Sequence, residues 1–247
     1  MYTHISLRSI ANCYLVFASL FLQALPQITT SAQGIANAEN SSANPKNISK
    51  YKTASERLSE SLSCFDPLNN NASYSITLCA DLPDNNNPRK VHVKSETGHV
   101  FIILSKWTGT DTINSVFGFY PRRPASSLLF KNVRSEILNN SNREYNISLS
   151  KKIDEEDFRL VIKTAVDLAK RKYNINKYNC YDYAIEIFNS IAGLNKIPIR
   201  HIRFPFIFGK GGSPCSLYAD LAEMKNNGSA WSPFIQKGVF RAPVSTN

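Results

Sequence analysis

The alternation of apolar and polar residues predicts several strands before residue 150. Each alternating segment has a period of two and is bounded by Asn, Gly, Pro or Asp, as half-buried strands usually are. The predicted strands are residues 73–82, 90–96, 99–107, 112–120 and 144–150. The Thr-Gly-Thr-Asp at 108–111 suits a short hairpin connection between two of these strands.

A period of 3.6 residues predicts helices mainly after residue 150. Residues 154–172 carry one apolar stripe, with Asp154 as the predicted N-cap. A second helix is predicted from Cys180 up to Gly193, and a third after Ser213. A short helix is predicted earlier, at residues 53–65.

The N-terminus has the pattern of an export signal. A basic residue precedes an apolar run at residues 13–25 that is too short to span a bilayer comfortably. We expect residues 1–32 to be a signal peptide, which predicts a secreted or periplasmic protein; an uncleaved membrane anchor is the alternative. Residues 33–50 are rich in Asn, Ser and Ala and are expected to be a disordered leader. Residues 51–247 are then expected to form one domain.

The composition adds a strong positive charge. The 247 residues include 29 Lys and Arg against 19 Asp and Glu, a formal net charge of +10. This excess favours contact with an anionic surface. No arginine-rich stripe is interleaved with aromatic residues, so nucleic acid is not an expected partner. No metal-binding or phosphate-binding motif is present either, so no metal and no cofactor are expected.

Four cysteines follow the predicted signal peptide: Cys64, Cys79, Cys180 and Cys215. An exported chain meets an oxidising compartment, where disulfides are common. Cys64 and Cys79 close a short loop, so we predict a disulfide between them. Whether Cys180 is a nucleophile, a buried thiol or paired with Cys215 stays open on this ground.

The placement of Cys180 at a helix start is chemically suggestive. Free backbone N–H groups and the positive end of the helix dipole stabilise a thiolate there. A nucleophilic thiol also needs a base, most often histidine. Of His92, His99 and His201, His99 stands out because it follows Gly98 and begins the most apolar predicted strand. Structural use of both residues is the simpler alternative.

A family resemblance supports the chemical interpretation. The motifs TGHVFIILSK, FGFYP, YNINKYNCYDYAIEIFNSIAG and GGSPCSLYADL occur in this order between residues 97 and 221. They resemble exported bacterial proteins of the circularly permuted papain-like type in the NlpC superfamily. Lecithin:retinol acyltransferase-like proteins share this order, in which histidine precedes cysteine.

The resemblance implies an α+β fold in which an antiparallel sheet packs against helices. It implies His99 as base and Cys180 as nucleophile. A third polar residue on the next strand would orient the imidazole; Asn114 and Ser115 are the candidates there, and we take Asn114 as the predicted residue. The expected function is a thiol hydrolase that cleaves an amide or peptide bond, with cell-wall peptide as one substrate class. The alternatives are a lipid acyltransferase or esterase with the same dyad, and a non-catalytic binding domain with Cys180 in a disulfide.

Overall fold

The computed structural model describes residues 52–93, 97–109, 111–128, 132–204 and 209–246. The predicted signal peptide and leader lie outside these residues. Lys52–Asn247 form one compact unit. No helix in the described ranges is long and apolar enough to cross a membrane. The predicted fold class is confirmed, since an antiparallel sheet packs against helices.

Six strands form the main sheet, and every neighbouring pair in it is antiparallel. Their spatial order is β4-β3-β2-β1-β5-β8. A separate pair, β6 and β7, forms a two-stranded sheet. The strands are β1 (Ser73–Asp81), β2 (His99–Thr108), β3 (Asp111–Pro121), β4 (Ser135–Asn139), β5 (Glu144–Ile153), β6 (Ile202–Arg203), β7 (Lys210–Gly211) and β8 (Ile235–Arg241).

Four of the five α-helices in the described ranges begin after a residue whose side chain caps them. Thr53, Asp154, Asn179 and Ser213 each accept a backbone N–H of the following turn, which satisfies donors that have no intrahelical acceptor. The α-helices in the described ranges are α1 (Ala54–Leu62), α2 (Pro124–Ser127), α3 (Glu155–Leu168), α4 (Cys180–Asn189) and α5 (Pro214–Asn226).

The core lies mainly on the face of the sheet that carries α4. Val100, Ile102 and Leu104 of β2 point to this face and belong to the large buried cluster with Phe158 and Phe188. The opposite face carries a smaller cluster, which consists of Cys79, Phe101, Ile103, Val116 and Ala242. Alternation along β2 therefore separates its residues between two apolar layers.

The two layers explain why the predicted Cys64–Cys79 disulfide is absent. Cys64 packs against the large cluster, whereas Cys79 belongs to the smaller cluster on the other face of the sheet. The sheet thus lies between the two thiols. All four described cysteines are free, including Cys180 and Cys215.

One predicted strand differs from the structure, and some observed strands were not predicted. Residues 90–92 are not a strand, and Val93 makes only an isolated bridge; residues 94–96 are outside the described ranges. The side chains of residues 91–93 are half-buried, which produces the apolar alternation without sheet pairing. Strands β4 and β8 were not predicted, because neither has a clean alternation of apolar and polar residues.

Candidate active site

The site lies where strands β2 and β3 separate. Their ladder ends at the pair Phe101–Gly118, although β2 already begins at His99. Beyond this point the end of β3 pairs with β4 instead. The first two residues of β2, His99 and Val100, therefore lie past the end of the β2–β3 ladder, and the start of α4 packs there.

The capping of α4 holds Cys180 at the first helical position. The Asn179 side chain accepts the backbone N–H of Tyr181 at 2.8 Å, and Asp182 Oδ2 accepts the backbone N–H of Asn179 at 2.9 Å. Asp182 Oδ1 lies 2.6 Å from His201 Nε2. The two oxygens of the Asp182 carboxylate therefore have different partners, one at the start of α4 and one on His201.

Cys180 is half-buried, and its thiol contacts the start of β2. Burial raises the pKa of the Cys180 thiol to about 11, and the nearby charge of Asp182 raises it further. The backbone N–H of Val100 interacts with the sulfur and lowers this pKa, as does the charge of Arg143. The thiol is accordingly protonated near neutral pH, while groups that stabilise a thiolate already surround it.

His99 is buried and immediately precedes Val100, whose backbone interacts with Cys180. Its side chain is 4% exposed, and its ring stacks on that of Tyr120 with centroids 4.1 Å apart. Burial holds the pKa of His99 well below its usual range, and the charge of Arg143 lowers it further. The imidazole is therefore neutral near pH 7 and can accept a proton.

Asn140 faces the same space as His99. His99 Nε2 and Asn140 Oδ1 are both buried and have no hydrogen-bond partner among the described residues. Both atoms lie directly over Gly118, so close that a Cβ atom at Gly118 would overlap each of them. The Asn140 amide donates to Tyr120 Oη at 2.6 Å, which fixes the side chain while Oδ1 lies over Gly118. Glycine at 118 thus leaves room for two facing polar groups.

Arg143 connects the remaining polar groups of the site. It donates to Asp81 Oδ2 from Nε at 2.9 Å and from Nη2 at 2.7 Å. Its Nη1 also donates to Tyr120 Oη at 3.4 Å. Asp81 pairs with His99 in the β1–β2 ladder, so the guanidinium is held beside the imidazole. Its positive charge lowers the pKa of both His99 and Cys180.

The turn that carries Asn140 and Arg143 is fixed by the C-terminal segment. The backbone N–H of Asn140 donates to Val116 O at 2.9 Å, and that of Ala242 donates to Arg143 O at 2.9 Å. Next to them, the backbone N–H of Ser245 donates to Ser141 Oγ at 2.8 Å. The site therefore depends on a chain segment more than 100 residues away in sequence from Asn140.

The structure does not bring Asn114 to His99. Asn114 pairs with Ser105 in the β2–β3 ladder and accepts a hydrogen bond from the Ser105 hydroxyl at 2.7 Å. Ser105 follows His99 by six residues along β2, which corresponds to about 20 Å. In an antiparallel hairpin the start of one strand lies opposite the end of the next, so the facing end of β3 holds Tyr120. Ser115, the alternative, pairs with Leu104 and is equally remote.

Three residues of this site were not among those predicted: Tyr120, Asn140 and Arg143. Tyr120 belongs to the FGFYP motif, but the motif gave it no role. Asn140 and Arg143 lie in a turn after β4, a strand that the sequence pattern did not reveal. Cys215 is a free, buried cysteine near the start of α5, where its thiol contacts Lys90 O at 3.6 Å.

No group of His, Cys, Asp and Glu in the described ranges has the arrangement of a metal site. The chain matches no protein-family model, and no curated protein or solved structure matches it significantly. The resemblance to permuted papain-like proteins remains a prediction from the motifs, and the chemistry has to be argued from the geometry above.

The raised thiol pKa gives a pH prediction. Because the thiolate is the reacting form, alkylation of Cys180 by iodoacetamide should be slow at pH 7 and should accelerate about tenfold per pH unit. The rate should level off only near the pKa of about 11. Timed labelling followed by peptide mapping measures this rate, and Cys180→Ser identifies the peptide. A plateau already reached below about pH 8 would show a preformed thiolate and contradict the prediction.

Proposed function

We propose that this protein is a thiol hydrolase that cleaves an amide or peptide bond. The observation that carries the proposal is the contact between the Cys180 thiol and the backbone of Val100 at the start of β2. The helix-start thiol contacts Val100, the residue next to the buried, neutral His99, and one arginine acts on both groups. Nucleophilic catalysis needs such a thiol, a neutral base and a fixed imidazole orientation.

In the proposed mechanism His99 acts as a general base. In the proposed tautomer Nε2 carries the hydrogen, on the side where Asn140 Oδ1 also lies over Gly118, and Nδ1 is the proton acceptor. As the Cys180 sulfur attacks the carbonyl carbon, the thiol proton passes to His99 and the carbonyl oxygen becomes an oxyanion. The C–N bond then breaks, and His99 gives the proton to the leaving amine.

Hydrolysis of the thioester completes the cycle. Water attacks the thioester carbon while His99 takes one of its protons, and the carboxylic acid leaves as the proton returns to the Cys180 sulfur. The backbone N–H of Cys180 stands at the first helical position, where N–H groups have no intrahelical acceptor. It is suited to stabilise the oxyanion.

The neutral resting state distinguishes this mechanism from one with a preformed ion pair. Burial lifts the pKa of Cys180 to about 11 and holds that of His99 well below its usual range, so the proton stays on sulfur until attack. When the imidazole becomes charged, stacked Tyr120 and the Oδ1 of Asn140 are in place to stabilise it. The proton transfer is therefore coupled to bond formation.

A substrate panel tests the proposed function. We expect the full chain to release new primary amines from a peptide library or a digest of cell-wall peptide, and matched esters to be cleaved as a side activity. Amine release is measured with an amine-reactive dye, and the cleaved bond is located by mass spectrometry. Cleavage of esters with no cleavage of any amide would instead support the acyltransferase or esterase alternative.

The non-catalytic alternative depends on a disulfide at Cys180. Cys180 and Cys215 are both free in the structure. They begin different helices, and the Cys215 thiol contacts Lys90 O rather than the start of β2. No observation on the described residues favours this alternative.

A further inference from the structure

The short β6–β7 sheet is built onto the residues that flank the proposed nucleophile. The Asn179 amide donates to Gly212 O at 3.0 Å, immediately after β7. On the other side, His201 lies 2.6 Å from Asp182 just before β6. The backbone N–H of Arg200 also donates to Tyr181 Oη at 2.8 Å. Residues 179, 181 and 182 thus hold both strands of this small sheet at the end where Ile202 pairs with Gly211.

Glycines make the approach of β7 to the helix start very close. A Cβ atom at Gly211 would overlap Ile175 O and the Phe204 ring. A Cβ atom at Gly212 would overlap the Tyr181 ring in the same way. Within residues 209–212, Lys210 is the one residue that is not glycine, and its side chain is exposed. The position of Lys210 relative to the helix start is therefore set by tight backbone packing.

Two positive charges lie directly opposite each other on this sheet. Arg203 of β6 and Lys210 of β7 are a cross-strand pair, so their side chains leave the same face. Both side chains are exposed, and neither forms an ion pair with a carboxylate among the described residues. Like charges at directly opposed positions repel, and this repulsion is relieved when an anion binds between them.

The carboxylates that contact the residues just before β6 have other partners than Arg203 and Lys210. Asp182 accepts the backbone N–H of Asn179 and contacts His201. Asp220 and Glu223 of α5 contact Arg200, at 3.2 Å and 3.9 Å. The protein therefore offers this charged pair no partner of its own within the described ranges, and its formal net charge of +10 adds a long-range attraction for anions.

We propose that Arg203 and Lys210 bind a carboxylate of the substrate, so that the enzyme prefers acidic peptides. This inference rests on the proposed peptide hydrolysis and names the substrate class. Gly212 follows β7 directly and accepts a hydrogen bond from Asn179, the residue before Cys180. Lys210 therefore lies about 7 Å along the extended backbone from that hydrogen bond. Arginine binds carboxylates with directional, charge-assisted hydrogen bonds, and lysine adds a second point charge.

Binding to an inactive variant tests the inference separately from catalysis. The full chain with Cys180→Ala is titrated into fluorescent peptides that contain Asp and Glu, or Asn and Gln at the same positions, and anisotropy is measured. We expect the acidic peptides to bind about tenfold more tightly at low salt. The Arg203→Gln, Lys210→Gln double variant should remove this preference.

A matched variant separates a local site from overall charge. Lys152 and Lys172 are exposed and lie on β5 and just after α3, so Lys152→Gln with Lys172→Gln removes the same two charges elsewhere. We expect this control to keep the preference. Loss of preference in both double variants, or in neither, would overturn the inference.

One further outcome distinguishes a peptide carboxylate from an anionic lipid. Another distinguishes failure of this inference from failure of the proposed function. Stronger binding to vesicles of anionic lipid than to acidic peptides, with the same dependence on Arg203 and Lys210, would overturn a peptide ligand. If the unmodified enzyme cleaves neutral and acidic peptides equally, the hydrolase proposal stands and the inference on substrate charge fails.

Discussion

Cys180→Ala is expected to reduce amide hydrolysis by at least about 1,000-fold. The reason is that no other group in the proposed mechanism forms the covalent intermediate. The fold should be retained, because alanine removes only a half-buried sulfur and suits a helix start. Amine release from the substrate found in the panel measures the activity, and thermal unfolding measures stability.

Cys215→Ala is the matched control for this variant. Cys215 is also free and also lies in the first turn of a helix, after a serine N-cap. Its thiol contacts Lys90 O and has no role in the proposed chemistry. We expect Cys215→Ala to keep activity within about twofold. Equal losses in both variants would indicate a structural role for thiols and contradict the assignment of Cys180.

His99→Gln completes the test of the dyad. Glutamine is similar in size but does not accept and return a proton at neutral pH, so we expect a loss comparable to that of Cys180→Ala. Because the two residues act in one step, the double variant should lose little more than either single variant. Additive losses would show that the two residues act independently.

Gly118→Ala is expected to reduce kcat about 100-fold while the chain still folds. The new methyl group would overlap His99 Nε2 and Asn140 Oδ1, so the imidazole has to move away from its position. A displacement of about 1 Å at a catalytic group can cost about 100-fold in rate. The same crowding should lower the free energy of unfolding by about 1–3 kcal/mol.

Gly109→Ala provides a control of similar type at the far end of the same hairpin. Gly109 has a φ of 60°, which a residue with a Cβ atom rarely adopts, but a Cβ atom there would meet no atom within 4 Å. This variant should be destabilised by about 1–2 kcal/mol and retain its activity. If the two variants lose activity equally, stability and not the position of His99 explains the loss.

Asn140 provides the complementary test of the same contact. Asn140→Ala removes the amide oxygen that lies with His99 Nε2 over Gly118, and the expected result is a loss of kcat of about 10- to 100-fold with a smaller change in KM. Asn140→Asp restores an acceptor of the same size and should recover part of the activity. It should also shift the acidic limb of the pH profile upward, because a carboxylate stabilises the imidazolium. A purely structural role for Asn140 would leave that limb in place.

The sequence was sufficient to place the two residues at the centre of the proposal at the start of a helix and of a strand. Cys180 was recognised because an Asn cap and an amphipathic segment place it at a helix start, and both are local signals. His99 was recognised because it begins an apolar strand after a glycine. Local patterns specify such positions well, since helix caps and strand periodicity depend on neighbouring residues.

The sequence contained the information needed to exclude Asn114 as the third residue. The predicted turn at 108–111 makes β2 and β3 an antiparallel hairpin, so residues near the turn face each other. Asn114 follows that turn closely and pairs with Ser105, whereas His99 lies at the opposite end. Register thus excludes Asn114 once the hairpin is taken into account.

The cysteines show a similar division between sequence and structure. Closeness in sequence favoured a Cys64–Cys79 disulfide, but the sheet places the two thiols in different apolar layers. Strand alternation decides which face Cys79 occupies, and the packing of the preceding segment decides the location of Cys64. The location of Cys64 therefore depends on tertiary contacts.

The sequence by itself determined the type of most elements, the caps of the helices and the positions of Cys180 and His99 within them. Tertiary structure alone decided that Asn140 and Arg143 join this site, because β4 and the C-terminal segment hold their turn. It also decided that glycines 211 and 212 bring the end of β7 close to Ile175 and Tyr181, near the helix start. The physical reason is that caps and periodicity act over a few residues, whereas these contacts join segments that are distant along the chain.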